Sequence, residues 1–414
     1  MPNVVTDTQS QTRFDLSAIQ QALRENKIDG WLFYDHHHRD PLAYSILGLD
    51  PNAHVTRRWF YFIPANGEPK KLVHRIEAGR LDSLPGTKSV YSSWQELEAQ
   101  IEALLAGQTK LAMQYSPRNA IMYVSMVDAG TIELLRSLGK EIVSSADLVS
   151  HFEAVLTDAQ LATHYVAQRH IDEILAAAWN EIGTRARSGG GHSNGTDEHT
   201  MVQYLQEAMA RVGLDWEHGP NVSAGPNSAD SHYESTAASS RPIRNGDFVL
   251  IDIWAKLKDD PTAVWYDITW TGVVGREPTE REHLIFNTVR DARDASIKVV
   301  QDAFAANQPI AGWQADDASR NLIRKAGFGE WFTHRTGHNI GTVLHGNGAN
   351  LDNLETHDER LILPNTCFSV EPGLYFPGRA SDPNAFGIRS EVDMIARRGK
   401  AAVTGRIQTE LVRI

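Results

Sequence analysis

The chain has 414 residues, a formal net charge of −12, 41% hydrophobic and 22% charged residues, and a single cysteine, Cys367. That length exceeds one ordinary core and predicts two domains. The negative charge disfavours nucleic acid and anionic membrane as partners. One cysteine excludes an intrachain disulfide and a thiolate zinc cluster.

Residues 1 to about 14 read as a loose polar tail, without the apolar core of a signal peptide. No apolar run reaches the length of a membrane span. A soluble cytoplasmic protein is expected. "LSAIQQALREN" has helical spacing through Leu16, Ile19 and Leu23, and "GWLFYD" reads as a buried strand. "RWFYFIPANGEPKKLV" predicts a hairpin turning at Asn66-Gly67. "SWQELEAQIEALLAG" predicts a helix capped by serine and closed at Gly107. "KLAMQY" predicts a short strand. "MVDAGTIELLRSLG" predicts a helix, with "EIVSSADLV" after it. These alternating elements predict an α/β domain over residues 1–155.

One long helix is expected from Asp158 to about Arg187, then a flexible break at "SGGGHSNG" and a further helix at "EHTMVQYLQEAMARVG". Beyond residue 215 strands dominate: "DFVLIDIWA", "VWYDITWTGVV" and "TCFSVEPGLYF". Helices at "REHLIFNTVRDARDASIKVVQDAF" and "DDASRNLIRKAG" interrupt them. The domain over residues 156–414 is therefore expected to be α+β.

The chemistry sits in that domain. Asp252 and Asp267 each interrupt an apolar strand, and a buried carboxylate must be paired, protonated or metal-bound. "KLKDDPTA" between them reads as a hairpin turn that brings the two side by side. Glu371 ends the strand of "CFSVEPGLY", and Glu391 lies on the next strand, in "FGIRSEVDMI". "WFTHRTGHNIGTVLHGNG" supplies His334, His338 and His345 in a loop. Its glycines, Gly337, Gly341, Gly346 and Gly348, imply close backbone approach. Four carboxylates and one of these imidazoles suit two divalent cations: Mn, Co, Fe or Zn. Such a pair can share a bridging hydroxide as nucleophile.

The order Asp, Asp, His, Glu, Glu resembles the pita-bread dinuclear metallopeptidases: prolidase, aminopeptidase P, methionine aminopeptidase and the non-peptidase creatinase. "TGHNIGTVLHG" resembles the family's G-H-x-x-G-x-x-x-H segment. "SVEPGLY" resembles its I-E-P-G-x-Y, "IRSEV" its R-x-E-D, and "SAGPNSADSHY" its S-G-x-N-(A/S)-x-x-x-H-Y stretch. The resemblance implies a C-terminal pita-bread domain with a smaller N-terminal α/β domain of creatinase/prolidase type.

It also implies hydrolysis of Xaa-Pro bonds in small peptides, as a dipeptidase or aminopeptidase, with two metal ions, manganese first, in a homodimer. The metal ligands become Asp252, Asp267, His338, Glu371 and Glu391. Glu371 shuttles a proton, and His345 hydrogen-bonds the carbonyl as it turns tetrahedral. His232 contacts the substrate or its carboxylate, and His334 lines the pocket. Arg389 orients a ligand carboxylate beside the substrate, and Thr269 reaches the bridging hydroxide.

The chain departs from the family pattern at Trp254, where glycine is usual, and in the fifteen residues from Asp252 to Asp267. It departs again at His357, with Arg360 nearby, where prolidases carry a carboxylate-gripping arginine, and at Val392, where aspartate is usual. The rival readings are a creatinase-type C–N hydrolase and an inactive binding module on the same scaffold. "DHHHRD" reads as a solvated loop: in extended backbone neighbouring side chains point to opposite faces, so His36, His37 and His38 do not converge on one ion.

Overall fold

Large apolar side chains alternate along Gly30–Asp35, so that a single strand feeds two apolar layers at once. This and the other elements come from a computed structural model describing residues 14–188, 195–379, 382 and 384–414. The N-terminal tail and most of the glycine-rich break lie outside the described residues. The chain divides into two compact units, Met1–Glu153 and Ala154–Ile414.

In the first unit α1 (Leu16–Glu25) starts at Asp15, whose carboxylate accepts from the Ala18 amide at 3.0 Å. There follow β1 (Gly30–Asp35), α2 (Pro41–Leu47), β2 (Trp59–Pro64), β3 (Lys70–His74) and β4 (Thr87–Tyr91). Next come α3 (Trp94–Leu104), β5 (Lys110–Met113), α4 (Ala129–Ser137), β6 (Glu141–Ser144) and α5 (Ala146–Val149). The strands form one sheet in the order β4-β3-β2-β1-β5-β6. Trp31 and Phe33 enter one layer, Leu32 and Tyr34 the other, which is why "GWLFYD" reads as continuously apolar. β2 and β3 pair antiparallel as expected, with Gly67 at φ +98° in the turn. α3 carries a reciprocal cap between Ser93 and Glu96.

The histidine run is a loop, as expected, but a tightly turned one rather than an extended one. The Asp35 carboxylate accepts from the amides of His38, Arg39 and Asp40 at 3.1, 2.7 and 3.2 Å. His37 and His38 take left-handed backbone at φ +61° and +56°. The carboxylate gathers these three backbone donors where the chain turns into α2.

The second unit opens with α6 (Asp158–Ser188), β7 (Thr196–Asp197), α7 (Glu198–Arg211), β8 (Leu214–Asp215), β9 (Asn221–Ala224) and β10 (Pro242–Ile243). β11 (Phe248–Leu257), β12 (Tyr266–Val273), α8 (Glu280–Ala305), α9 (Gly312–Lys325) and β13 (Asn339–Ile340) follow. It closes with β14 (Cys367–Val370), β15 (Gly373–Phe376), β16 (Phe386–Arg389), β17 (Val392–Arg397), β18 (Lys400–Thr404) and β19 (Val412–Arg413). β11 and β12 are the hairpin expected around "KLKDDPTA", with Asp252 opposite Thr269 and Trp254 opposite Asp267. Ile251, Ile253, Ala255 and Ile268 pack in one cluster with Ile171, Leu175, Leu205 and Met209 of α6 and α7. Strand alternation turns Asp252, Trp254, Asp267 and Thr269 to the opposite face.

The strand leading to Glu371 stops there as expected, and the stretch expected to carry Glu391 within one strand is stepped. "CFSVEPGLY" splits into β14 and β15 around Glu371-Pro372, and "FGIRSEVDMI" splits into β16 and β17 around Ser390-Glu391. Proline lacks an amide for the ladder and explains the first step. At the second, the Glu391 amide leaves the ladder to donate to the Thr269 carbonyl at 3.2 Å. Among the described residues no helix is long and apolar enough to cross a membrane.

His164 of α6 ties three elements together. Its Nδ1–H donates to the Trp265 carbonyl at 2.6 Å, and its Nε2 accepts from the Thr404 hydroxyl at 2.9 Å. Burial lowers its pKa from 6.5 to about 4. The native state holds it neutral, so the unfolded chain binds the extra proton between those values. Its stabilising contribution is complete above pH 6.5 and falls away toward pH 4, about 3 kcal/mol in all. In urea titrations the stability lost on going from about pH 7 to about pH 4.5 should be roughly 2–3 kcal/mol larger for wild type than for His164→Gln. An equal loss in both would contradict this account.

Candidate metal centre

The hairpin register sets the first half of the centre. Thr269 Oγ1 lies 2.9 Å from Asp252 Oδ1 and 2.6 Å from Glu391 Oε2, and it receives Arg389 Nε at 3.0 Å. Arg389 also donates through its terminal nitrogen to Asp252 Oδ2. Its Nε stands 3.9 Å from Glu371 Oε2 and 4.0 Å from Glu391 Oε2. The guanidinium, 6% exposed, is turned inward onto the carboxylates.

The loop between α9 and β14 sets the second half. Asp316 and Arg320 of α9 are buried against each other. Asp316 accepts from the amide and hydroxyl of Thr336 at 3.0 and 2.7 Å, and Arg320 donates to the His334 carbonyl at 2.8 Å. Gly337 lets this loop lie on β14, because a Cβ there would sit 2.0 Å from the Ser369 carbonyl oxygen. The Ser369 hydroxyl then accepts from the His338 amide and donates to Glu371 Oε1, each at 3.0 Å.

His338 shows what the centre is built for. A carbonyl only accepts, so Nδ1, 3.2 Å from the Asn339 carbonyl, carries the proton. Burial, and then the Arg335 charge, lower the pKa to about 3. The neutral ring therefore presents an Nε2 lone pair to Glu371 Oε1 at 3.4 Å and to Asp267 Oδ2 at 3.8 Å. A lone pair facing two carboxylates is repulsive unless something positive lies between them.

Ligand atoms of Asp267, His338 and Glu391 all lie within 4.8 Å of one another. Asp267 Oδ1 and Glu391 Oε1 are buried without a hydrogen-bond partner. Burial, reinforced by the neighbouring carboxylates, raises the pKa values of Asp267 and Glu391 well above the usual range. Burial raises that of Asp252 as well, against the pull of Arg389. Orphaned oxygens, an imidazole nitrogen turned toward carboxylates and the crowding of those carboxylates fit an oxygen-rich divalent cation site.

His345 has its ring 4.3 Å from that of His338. The residue is exposed, yet desolvation, then His338, pushes its pKa down to about 3. His334 donates from Nδ1 to the Arg335 carbonyl at 2.6 Å and accepts at Nε2 from the Tyr375 hydroxyl at 2.8 Å. Arg389 also reaches that hydroxyl, at 3.5 Å. His232 is exposed, and its backbone amide donates to Asp230. Among the described residues no hydrogen bond or ion pair joins its imidazole to the carboxylates. Arg360 is locked to Asp358 and to the Asn347 carbonyl, and His357 is bound to Asn353.

Sequence reading missed Ser369, Tyr375 and Asp393. Asp393 accepts from the Asp267 amide at 2.8 Å. Its signal was "SEVD", an aspartate one position beyond the Val392 noted as a departure. A second trio, His164, Cys367 and Asp393, also has ligand atoms within 4.8 Å of one another. Both ring nitrogens of His164 are already engaged, so it is a poorer cation site.

The sequence profile of metallopeptidase family M24 matches residues 166–398. The "Probable dipeptidase PepE" of Mycobacterium tuberculosis is 30% identical over 218 residues, 53% of this chain and 52% of that protein. The "Xaa-Pro dipeptidase" of Lactobacillus delbrueckii subsp. lactis is 26% identical over 241 residues, 57% of each. The chain thus spans about half the length of the curated relatives it matches. The solved structure of dipeptidase PepE from Mycobacterium ulcerans superposes with a TM-score of 0.64 at 21% identity, covering 96% of both chains. That likeness shows the expected α+β pita-bread fold.

The Thr269 hydroxyl has one proton to give, yet two carboxylate oxygens lie within hydrogen-bond distance of it. Burial also raises the pKa values of Asp252, Asp267 and Glu391, so protein stripped of metal is expected to hold protons here that a divalent cation displaces. Titration with Mn²⁺ near neutral pH should release about one proton or more per chain, seen as a dependence of the binding enthalpy on buffer ionisation enthalpy. An enthalpy independent of buffer would contradict this.

Proposed function

The chain belongs to metallopeptidase family M24, and on that premise we propose that it hydrolyses Xaa-Pro bonds in small peptides with a pair of divalent cations. Asp252, Asp267, His338, Glu371 and Glu391 hold the pair, with Mn as the first choice and Co, Fe or Zn as alternatives. The observation that carries this reading is the Nε2 of His338, 3.4 Å from Glu371 Oε1 and 3.8 Å from Asp267 Oδ2. When bound, the cations polarise a carbonyl and make water nucleophilic near neutral pH.

The chain's own groups divide the remaining work. Glu371 moves the proton from the nucleophile to the leaving nitrogen; the Ser369 hydroxyl fixes its Oε1 and leaves Oε2 for that exchange. His345 is neutral at working pH, because its pKa lies near 3. It donates a hydrogen bond to the carbonyl oxygen as negative charge develops there. Arg389 and Thr269 hold Asp252 and Glu391 in register. His334, neutral with a pKa near 4, keeps Tyr375 oriented beside Arg389. His232 takes the outer end of the substrate.

The relative named Xaa-Pro dipeptidase supports proline on the leaving side. A proline nitrogen has no hydrogen to anchor, so recognition must come from its ring and its neighbours.

A metal-reconstituted assay against Ala-Pro, longer Xaa-Pro peptides and peptides lacking proline tests this. Proline-containing peptides should be cleaved, and Glu371→Gln should lower kcat by about 10²–10⁴ while keeping the fold. Turnover of the variant near wild type would refute the role of Glu371, and equal cleavage of proline-free peptides would refute the substrate class.

A further inference from the structure

The loop carrying His345 is strapped down from the far end of the β11–β12 hairpin. One residue beyond the last paired positions, Ala255 and Tyr266, stand Lys256 and Trp265. Lys256 Nζ donates to the Thr342 carbonyl at 2.9 Å, and Trp265 Nε1 donates to the same oxygen at 3.2 Å. The Trp265 amide also donates to the Gly341 carbonyl at 3.1 Å. The Lys256 ammonium lies over the Trp265 ring, 5.0 Å from its centroid. Trp265 is fully buried and shares an apolar cluster with Ile340 and Leu344, which bracket the strapped residues.

The strap has a definite mechanical meaning. Between His338 and His345 the chain leaves β13 and turns outward, with Val343 50% exposed. Such a tip has little packing of its own. A carbonyl oxygen has two lone pairs, and here side chains from both arms of the hairpin engage it. One of the two bonds is charge-assisted and therefore strong. On the other side of His345, the Gly346 amide donates to the Asn339 carbonyl at 2.7 Å. His345 is thus held from both sides with its ring on that of His338. The hairpin that presents Asp252 and Asp267 is also the part that fixes the loop.

We infer that Lys256 and Trp265 are positioning residues that hold the loop at Gly341–Thr342 so that His345 faces the reacting carbonyl. This rests on the reading of His345 given above. Neither residue touches substrate; each acts through the Thr342 carbonyl. Slackening the loop withdraws a hydrogen bond needed as charge develops and leaves cation binding intact.

The test uses the full chain in three variants, Lys256→Met, Trp265→Phe and Lys256→Arg, with two readouts. In hydrogen–deuterium exchange, Lys256→Met and Trp265→Phe should speed the amides of residues 341–345 roughly tenfold while those of Cys367–Val370 stay as in wild type. On an Ala-Pro substrate, Lys256→Met should lower kcat about tenfold with KM within about twofold, and Lys256→Arg should restore most of it. In a His345→Ala background Lys256→Met should lower kcat no further. Unchanged loop exchange, a loss confined to KM, or an additive loss in the His345→Ala background would overturn the positioning role alone. His345→Ala at wild-type kcat would overturn the reading of His345, and the positioning role with it.

Discussion

Carboxyl groups crowded together out of water govern this structure. Asp252, Asp267 and Glu391 are buried, Glu371 stands against them, and the lone pair of His338 points into the same space. Among the described residues Arg389 is the cation ion-paired with the carboxylates, and it lies closest to the Asp252 side. Asp267 and Glu391 keep oxygens with no partner. An uncompensated cluster of this kind costs several kcal/mol per ion in an interior. The proposed cations would supply the positive charge that these orphaned oxygens lack.

The rest of the second unit reads as scaffolding for that cluster. One face of the β11–β12 hairpin packs with α6 and α7, and the pleat delivers Asp252 and Asp267 to the other. Two strand steps, at Glu371-Pro372 and Ser390-Glu391, aim the glutamates at the same point. α9 fixes the histidine loop through Asp316 and Arg320, and β14 contributes Ser369 to both His338 and Glu371. These supports are hydrogen bonds to backbone or between buried groups, and they set orientations that side-chain rotamers alone would leave open.

The elements legible in the sequence were those with strong local signals. Capped helices such as α3, the Asn66-Gly67 turn and the apolar runs of β1 and β11 declare themselves by periodicity and turn chemistry. The acidic interruptions of apolar strands marked Asp252 and Asp267 in the same way, because burial of a lone carboxylate is costly. Motif order, rather than periodicity, singled out His338 among three histidines. What stayed hidden depends on contacts distant in sequence. Ser369, Tyr375 and Asp393 look like ordinary strand residues until β14, β15 and β17 are placed. The turn around Asp35 was read as a loop, but its shape was not legible, because three backbone donors converging on one carboxylate leave no periodic trace. Lys256 and Trp265 have no signal before the loop that they hold is seen across from them.

The central claim is that the five side chains together form one site for a pair of divalent cations. Equilibrium dialysis against Mn²⁺, followed by elemental analysis of the protein, measures this without reference to any substrate. The account predicts about two ions per wild-type chain and clear loss of metal in Asp267→Ala. Metal-free wild-type protein after dialysis, or equal metal in wild type and Asp267→Ala, would contradict it.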